Sequence, residues 1–508
     1  MTETLVQDAP PIALVEPHPD GAVNALAVQA VDVSGVPEGD AERREDIQLG
    51  LIEVLRQLFF QIEEGSFNLG EDRINAKLVE AALERIDQKI SAQLDAVLHH
   101  KEFKELESAW RSLKYLVDHS PLEENIEVYL MNATKEDLHS DLDEDGVDES
   151  GYFEKLYTQE LGGHGGTPFG AVVANFEFTP RQRDVDLLGL LASVSSMAHA
   201  PLIASAGPEF FGKDNWADLP RTQAQLAAVM ADVKRYGHWN RFRETQDARY
   251  VGLTLPHFML RNVYDLAPGA QSSFRYKENA GEDAGDYLWG NAAFAFAARM
   301  SESFRSYRWC MDVIGPQSGG QVEDLPTPMF MKDGLEHVMP PTQIYLSDNL
   351  EYILSDKGFV PLTMRKNANN AVFFAAQSAH RPKEYGNTDE ARAAQANHFL
   401  STQLPYTMLI TRLAHFIKIL QRENIGSWID RANLQESLNK WIRNYIIANK
   451  PKDTRLLSER PLQAAEILVE DWPGKPGFFK VDMKVQPHIK YQGADFELSL
   501  VAQMEKSR

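Results

Sequence analysis

Residues Pro476–Gln503 read PGFFKVDMKVQPHIKYQGADFELSLVAQ. Val481, Met483, Val485, Ile489 and Tyr491 alternate with Asp482, Lys484, Gln486, His488 and Lys490. A period of two puts the first set on one face of a β-strand and the second set on the other. Gly493 and Asp495 mark a turn, after which Phe496, Leu498 and Leu500 resume the alternation. The stretch therefore predicts a β-hairpin near the chain end. Pro487 has no N–H to give to a ladder, which puts it on an edge or at a bulge. A two-stranded ribbon is marginal by itself. It needs its own domain's core to lie on, or a further strand. Leu462–Trp472 is one source of that strand and a neighbouring subunit is another.

Upstream of this ribbon, Ala391–Glu423 and Leu434–Ile447 carry helical spacing, and Pro405 is set to kink or divide the first. Lys450-Pro451 separates these helices from the terminal strands. Ala171–Phe178 and Leu202–Ala206 read as strands flanking a helix over Asp184–Met197, and Ile126, Val128 and Leu130 alternate as one more strand. The centre of the chain is thus mixed α/β. Before it, Ile47, Leu51, Val54, Leu55, Leu58 and Ile62 recur at helical spacing. A break at Gly65–Gly70 is followed by a helical region over Glu71–Val117. One of its stripes is Ile74, Leu78, Ile86, Ile90, Leu94 and Leu98; another is Phe103, Leu106, Trp110 and Leu113. Such stripes pack on the chain's own core or receive a partner helix. Residues 1–44 are rich in Pro, Gly, Asp, Ala and Val without an aromatic anchor, the composition of a flexible arm. Within it, Ala22–Val33 is weakly apolar and suits a short docking element. The expected organisation is an arm (1–44), a helical region (45–120), a central α/β body (121–370) and C-terminal helices with terminal strands (371–508).

With 508 residues, 43% of them hydrophobic, the chain can bury a large core spread over two or more lobes. Its 51 Lys and Arg against 74 Asp and Glu leave a formal charge of −23. That charge repels phosphate backbones, and no basic patch offsets it, which argues against nucleic acid as a partner. The single Cys310 fits a reducing compartment. No apolar run is long enough to span a bilayer, and no basic-then-apolar leader opens the sequence. A cytoplasmic location is the expectation.

Three stretches imitate chemistry. Gly207-Pro-Glu-Phe-Phe-Gly-Lys213 fits the first seven positions of a phosphate-binding loop. Asp214, however, stands where Ser or Thr would ligate magnesium. Glu209 adds negative charge and Pro208 removes a backbone donor. A strand-to-helix loop with Phe210 and Phe211 as packing residues is the better reading, and a nucleotide-binding enzyme the lesser alternative. Asp141-x-Asp143-x-Asp145-Gly146 begins like a calcium loop, but Tyr152 stands at the position of the bidentate Glu, so a solvated acidic loop is expected. Leu161-Gly-Gly-His-Gly-Gly-Thr-Pro168 reads as a flexible connector. No other histidines have metal-ligand spacing. Cys310 follows Trp309 in an apolar segment and reads as buried, and no Gly-x-Ser-x-Gly elbow occurs. No catalytic residue, cofactor site or metal site follows from these residues.

Tyr287-Leu-Trp-Gly-Asn-Ala-Ala-Phe-Ala-Phe-Ala297, Tyr307-Arg-Trp-Cys310 and Gly319-Gly-Gln-Val-Glu-Asp-Leu-Pro326 closely resemble the large subunit of the type VI secretion contractile sheath, the TssC or VipB family. The resemblance continues through Ser91–Leu116, Ala248–Pro256, Gln343–Leu362, Phe373–Ser378, Leu404–Tyr406 and Pro473–Gly477, in family order from about residue 45 onward. Arg308 stands where a glycine is usual and His257 where an arginine is usual. The arm lacks the Leu-Leu-Asp-like motif through which the disassembly ATPase ClpV recognises many members. The resemblance implies a structural, force-generating protein without catalysis of its own. It would pair with a small sheath subunit (TssB or VipA) and polymerise with copies of itself around a tube of Hcp on a baseplate. In that setting Val481, Met483, Val485, Ile489, Tyr491, Phe496, Leu498 and Leu500 would join an intersubunit sheet. Leu51, Leu55, Leu58 and Ile62 would meet helices of the small subunit.

Overall fold

The computed structural model describes residues 76–488, apart from 122–124, 145, 164, 267–273, 367, 384–387, 428, 449–454 and 475–477. The arm, the stripe of Leu51, Leu55, Leu58 and Ile62, and the strand positions Ile489, Tyr491, Phe496, Leu498 and Leu500 lie outside the described residues. The chain divides into two units, 1–94 with 267–276 and 95–266 with 277–508. In the first, helix α1 (Ala76–Leu98) begins, and Leu83 and Ile90, seven residues apart, are both exposed. The rings of Phe274 and Tyr276 stack in the same unit.

In the second unit, helix α2 (Lys101–Asp118) starts after His100, which is extended at the N-cap and breaks the helical region expected to run unbroken to Val117. Helix α3 (Lys135–Glu144) follows. Then come β1 (Val172–Phe178), α4 (Gln182–Ala198), β2 (Leu202–Ala206), α5 (Val233–Glu244) and β3 (Val251–Leu255). These are two strand–helix–strand units, and β1, β2 and β3 lie parallel in that order. Helix α6 (Ala292–Tyr307) and β4 (Gln321–Val322) precede a ribbon of β5 (Met329–Lys332) and β6 (Leu335–Val338). Helix α7 (Asp348–Asp356) leads into β7 (Val360–Met364) and β8 (Ala371–Phe373). The main sheet has the order β1-β2-β3-β7-β8-β4, parallel up to β7 and antiparallel beyond it.

Every residue of β2 and of β3 is buried, because the sheet is covered on both faces. Successive residues on β2 point to opposite faces. Leu202 and Ala204 join a core with Trp239, Phe210 and Phe359, whereas Ile203 joins one with Phe296, Phe373 and Leu404. The second layer is built on α6, whose Ala292, Ala293 and Ala295 let the helix come close to the strands. Gly252 belongs to the same fit: a Cβ there would stand 2.6 Å from Leu404 Cδ1.

The C-terminal part forms its own cluster from α8 (Asp389–Leu400), α9 (Leu404–Glu423), α10 (Arg431–Ile442), β9 (Leu462–Asp471) and β10 (Phe479–Pro487); α9 and α10 supply most of its helical side. Pro405 sits in the first turn of α9 and divides the helical stretch, since its missing N–H costs nothing there. The strand expected over Ile126, Val128 and Leu130 does not form: that segment belongs to no sheet among the described residues, and Leu130 is 69% exposed. Alternation supplies a face but not a neighbour to bond to.

Candidate assembly interface

The first strand of the expected ribbon is present and pairs with Leu462–Asp471, within the stretch the sequence offered as a further strand, while the expected second strand with Phe496, Leu498 and Leu500 lies outside the described residues. β10 pairs antiparallel with β9, and the turn that connects them precedes β10. Trp472 N–H donates to Phe478 O at 2.9 Å to close that turn. Val481, Met483 and Val485 stand opposite Val469, Ile467 and Ala465. They pack, partly buried, on the cluster of Leu413, Leu438 and Ile442, so their alternation is spent on the chain's own core. Lys480, Lys484 and Gln486 face outward. At the far end Leu462 faces Pro487, and the register shifts between Leu462 and Ala464, where a residue without an N–H is tolerated.

The two outer edges of this ribbon differ. Along β9, Asn439 Oδ1 accepts the Ile467 N–H at 3.0 Å while its Nδ2 donates to Ile467 O at 2.7 Å. Gln435 Oε1 accepts the Val469 N–H at 3.0 Å, and Ile447 N–H donates to Leu462 O at 2.9 Å. Two amides one turn apart on α10 thus occupy the positions an added strand would need. Along β10 no strand pairs on the outer side among the described residues. An edge of that kind offers unpaired backbone groups to another chain. In the sequence Gln435 and Asn439 are marked only by their i, i+4 spacing on a helix just before a strand.

A second exposed apolar surface lies on α2, where Leu106 and Trp110 are 57% and 61% exposed while Leu116 on the other side is buried. α2 is anchored by a buried ion network. Arg261 donates to Glu107 at 2.9 Å and to Glu278 at 2.6 Å, and His99 Nε2 lies 3.2 Å from Glu278.

The imitations of chemistry resolve into structure. Pro208–Phe211 is a single 3₁₀ turn with Phe210 and Phe211 buried against Trp239 and Phe359. Arg235 donates to Glu209 O and Arg181 pairs with the Glu209 carboxylate, so the loop is tied by its acidic residue. Asp141 lies in α3, not in a loop, and accepts the N–H groups of Gly151 and Tyr152, both at 2.9 Å. The expected solvated acidic loop is, over the described residues, a helix end and a cap. Arg422 clamps the glycine-rich connector by donating to Leu161 O and Gly163 O, each at 2.6 Å. The Cys310 thiol is pushed up to about 12 by burial. Among the described residues no group of three or more His, Cys, Asp or Glu is placed to hold a metal ion, and no helix is long and apolar enough to cross a membrane.

Where β1 and β3 end, His257 Nε2 pairs with the Glu177 carboxylate and its Nδ1 bonds Gln343 Oε1 at 2.8 Å. Burial works against charge on both partners, but the hydrogen bond and attraction between them outweigh it. Glu177 is held below its ordinary range and His257 above its own.

Residues 80–380 match the EvpB/VC_A0108 tail sheath N-terminal domain, and residues 393–504 match the EvpB/VC_A0108 tail sheath gpW/gp25-like domain. The type VI secretion system sheath protein TssC1 of Pseudomonas aeruginosa is 36% identical over 440 residues, covering 85% of this chain and 87% of that protein. Among solved structures, a chain of the anti-feeding prophage baseplate overlaps 75% of this chain and 84% of its own length at 10% identity and a TM-score of 0.35. A chain of the contracted anti-feeding prophage sheath overlaps 63% and 66% at 10% identity and a TM-score of 0.27. With both matched domains in order along one chain and a sheath protein similar over most of its length, the chain belongs to the VipB/TssC tail-sheath family and is a structural large subunit of the type VI secretion contractile sheath.

Proposed function

We propose that this subunit pairs with a small sheath subunit of the TssB or VipA type and polymerises with further copies around an Hcp tube. Built on a baseplate in the cytoplasm, the sheath contracts to drive tube and spike outward for effector delivery. The observation that carries this reading is the asymmetry of the terminal ribbon, closed along β9 by Asn439 and Gln435 and without a paired strand on the outer side of β10 among the described residues. A strand from a neighbour adds on the open side, and main-chain hydrogen bonds hold it. In this proposal Phe496, Leu498 and Leu500, with Ile489 and Tyr491, belong to the exchanged strands. Leu51, Leu55, Leu58 and Ile62 in the region 45–120 dock on the small subunit. The body 121–370 bears the load and 371–508 interlocks copies. Contraction draws on the free-energy difference between two packings of one polymer, and the chain performs no catalysis. Disassembly by a ClpV-type ATPase would use a signal other than a Leu-Leu-Asp-like motif in the arm.

The test is Leu498→Pro, co-expressed with the small subunit. Proline removes one ladder N–H and distorts the strand, a defect repeated at every subunit. Co-purification should persist while negative-stain microscopy shows no long sheaths. Normal sheaths would make the terminal strands private to one subunit, and loss of pairing as well would place them in the core.

A further inference from the structure

α4 lies in the first matched stretch of the chain and α9 in the second. The two helices meet through a histidine on each side. His415 of α9 is 1% exposed, and its Nε2 donates to the carbonyl of Ala198, the last residue of α4, at 3.0 Å. A carbonyl only accepts, so the imidazole carries its proton at Nε2 and Nδ1 is left as an acceptor. That Nδ1 is enclosed by protein and has no hydrogen-bond partner among the described residues. His199, the residue after α4, brings the centre of its ring to 6.1 Å from that of His415. Its own Nδ1 lies 3.4 Å from the Tyr250 hydroxyl.

A second proton on His415 places a charge and an extra N–H donor inside the protein, where both are costly. The charged groups acting on it are cations: Arg412 and Lys418 on its own helix, and His199 opposite. Lys418 reaches the Tyr157 hydroxyl, on the π-helical turn Glu154–Leu161, at 3.3 Å. Acids on the packed elements are engaged with other groups. Glu154 accepts from Gln159 and Glu160 from Thr167, while Asp247, in the 3₁₀ turn Asp247–Tyr250, acts on the Tyr250 phenol. Arg249 of that turn bonds His398 at 3.1 Å. Burial, more than the nearby cations, pushes the His415 pKa down to about 4 against the pull of the Ala198 carbonyl. Burial, and then Lys418, lowers that of His199. We propose that this contact is an acid-released latch: neutral His415 ties α9 to the end of α4, and protonated His415, facing His199, lets the two helices part. A histidine held below its ordinary 6.5 contributes stability that is complete above that value and lost as pH falls toward the lowered one. The latch is closed at neutral pH and opens on acidification.

The test is hydrogen exchange read by mass spectrometry on the full chain co-expressed with the small sheath subunit, at about pH 8 and about pH 5.5, with times scaled for the intrinsic exchange rate. With His415 at 6.5 when parted and about 4 when bound, protection over 195–200 and 412–418 should fall about tenfold at the lower pH, while β2 and β3 keep theirs. His415→Gln keeps a neutral donor for the Ala198 carbonyl and should show no such fall. His199→Asn removes the facing imidazole from a left-handed position, φ 53°, that asparagine tolerates, and should move the fall to lower pH. This second variant carries the test alone where His415→Gln does not fold. Unchanged protection in the parent would overturn the latch. So would a fall that survives both variants, which assigns it to another group, or one that spreads through β2 and β3, which is global unfolding.

Discussion

His257 and Glu177 show how one residue identity sets a pH response. The charge pairing of His257 with Glu177 is lost when the imidazole is deprotonated. His257 is held above its ordinary 6.5, so its contribution is complete below that value and lost as pH rises through the raised one. Glu177 is held below its ordinary 4.5, so its contribution is complete above that value and lost as pH falls through the lowered one. Stability from the pair is therefore greatest between 4.5 and 6.5. Thermal melts of the subunit complex should show His257→Gln most damaging at about pH 5.5, with the gap to the parent narrowing toward pH 8 or so; a gap that does not change with pH would contradict this. Arg261 makes a different prediction. With Glu278 1% exposed, Arg261→Met leaves its carboxylate out of water without a guanidinium, while Glu107 keeps Arg111. Removing one partner of such a network costs about 3–5 kcal/mol, readable as a lower denaturant midpoint. At this scale the sequence was partly legible. His257 was identified by its position after Pro256, whereas nothing in the spacing of Glu107, Arg261 and Glu278 announced that they meet.

At the scale of elements, α10 and the ribbon decide which edge is available. Asn439→Leu would strip two hydrogen bonds from Ile467 and leave a buried N–H without a partner, about 1–3 kcal/mol. The second strand edge would then be exposed, and sheaths should become irregular or branched under the microscope; straight, uniform sheaths would show that the amide cap is only a local bond. The Gly207–Lys213 turn provides the opposite case. Its backbone and acidic side chain are bound internally, so Lys213→Ala should leave assembly and ATP affinity as they were, checked by sheath yield and by nucleotide titration. The strand over Val481–Val485 and the helices over 182–198 and 404–423 were readable from period and breakers, because local burial imposes both. Leu462–Trp472 was readable as one source of a further strand but not as the strand that pairs with β10, which the fit of Ile467 and Val469 with Leu413 and Leu438 selects.

At the scale of the molecule, exposed apolar surface on α2 and a β10 edge without a paired strand among the described residues are surfaces that a partner would cover. Expressed alone it should aggregate or form irregular assemblies, and with the small subunit it should be soluble or tubular. Size-exclusion chromatography checks this, and a stable monomer indifferent to its partner would refute it. The sequence by itself determined the class and the membership. Alternating strands around a helix dictate an α/β body, and motifs kept in order along the chain identify the sheath family, because burial patterns and motif order are properties of the linear chain. The tertiary structure alone decided which edge of the terminal ribbon is closed and that Arg261 ties Glu107 of α2 to Glu278. Those contacts join residues 17 to 154 positions apart. No local period encodes them, since they exist only once separate layers have packed.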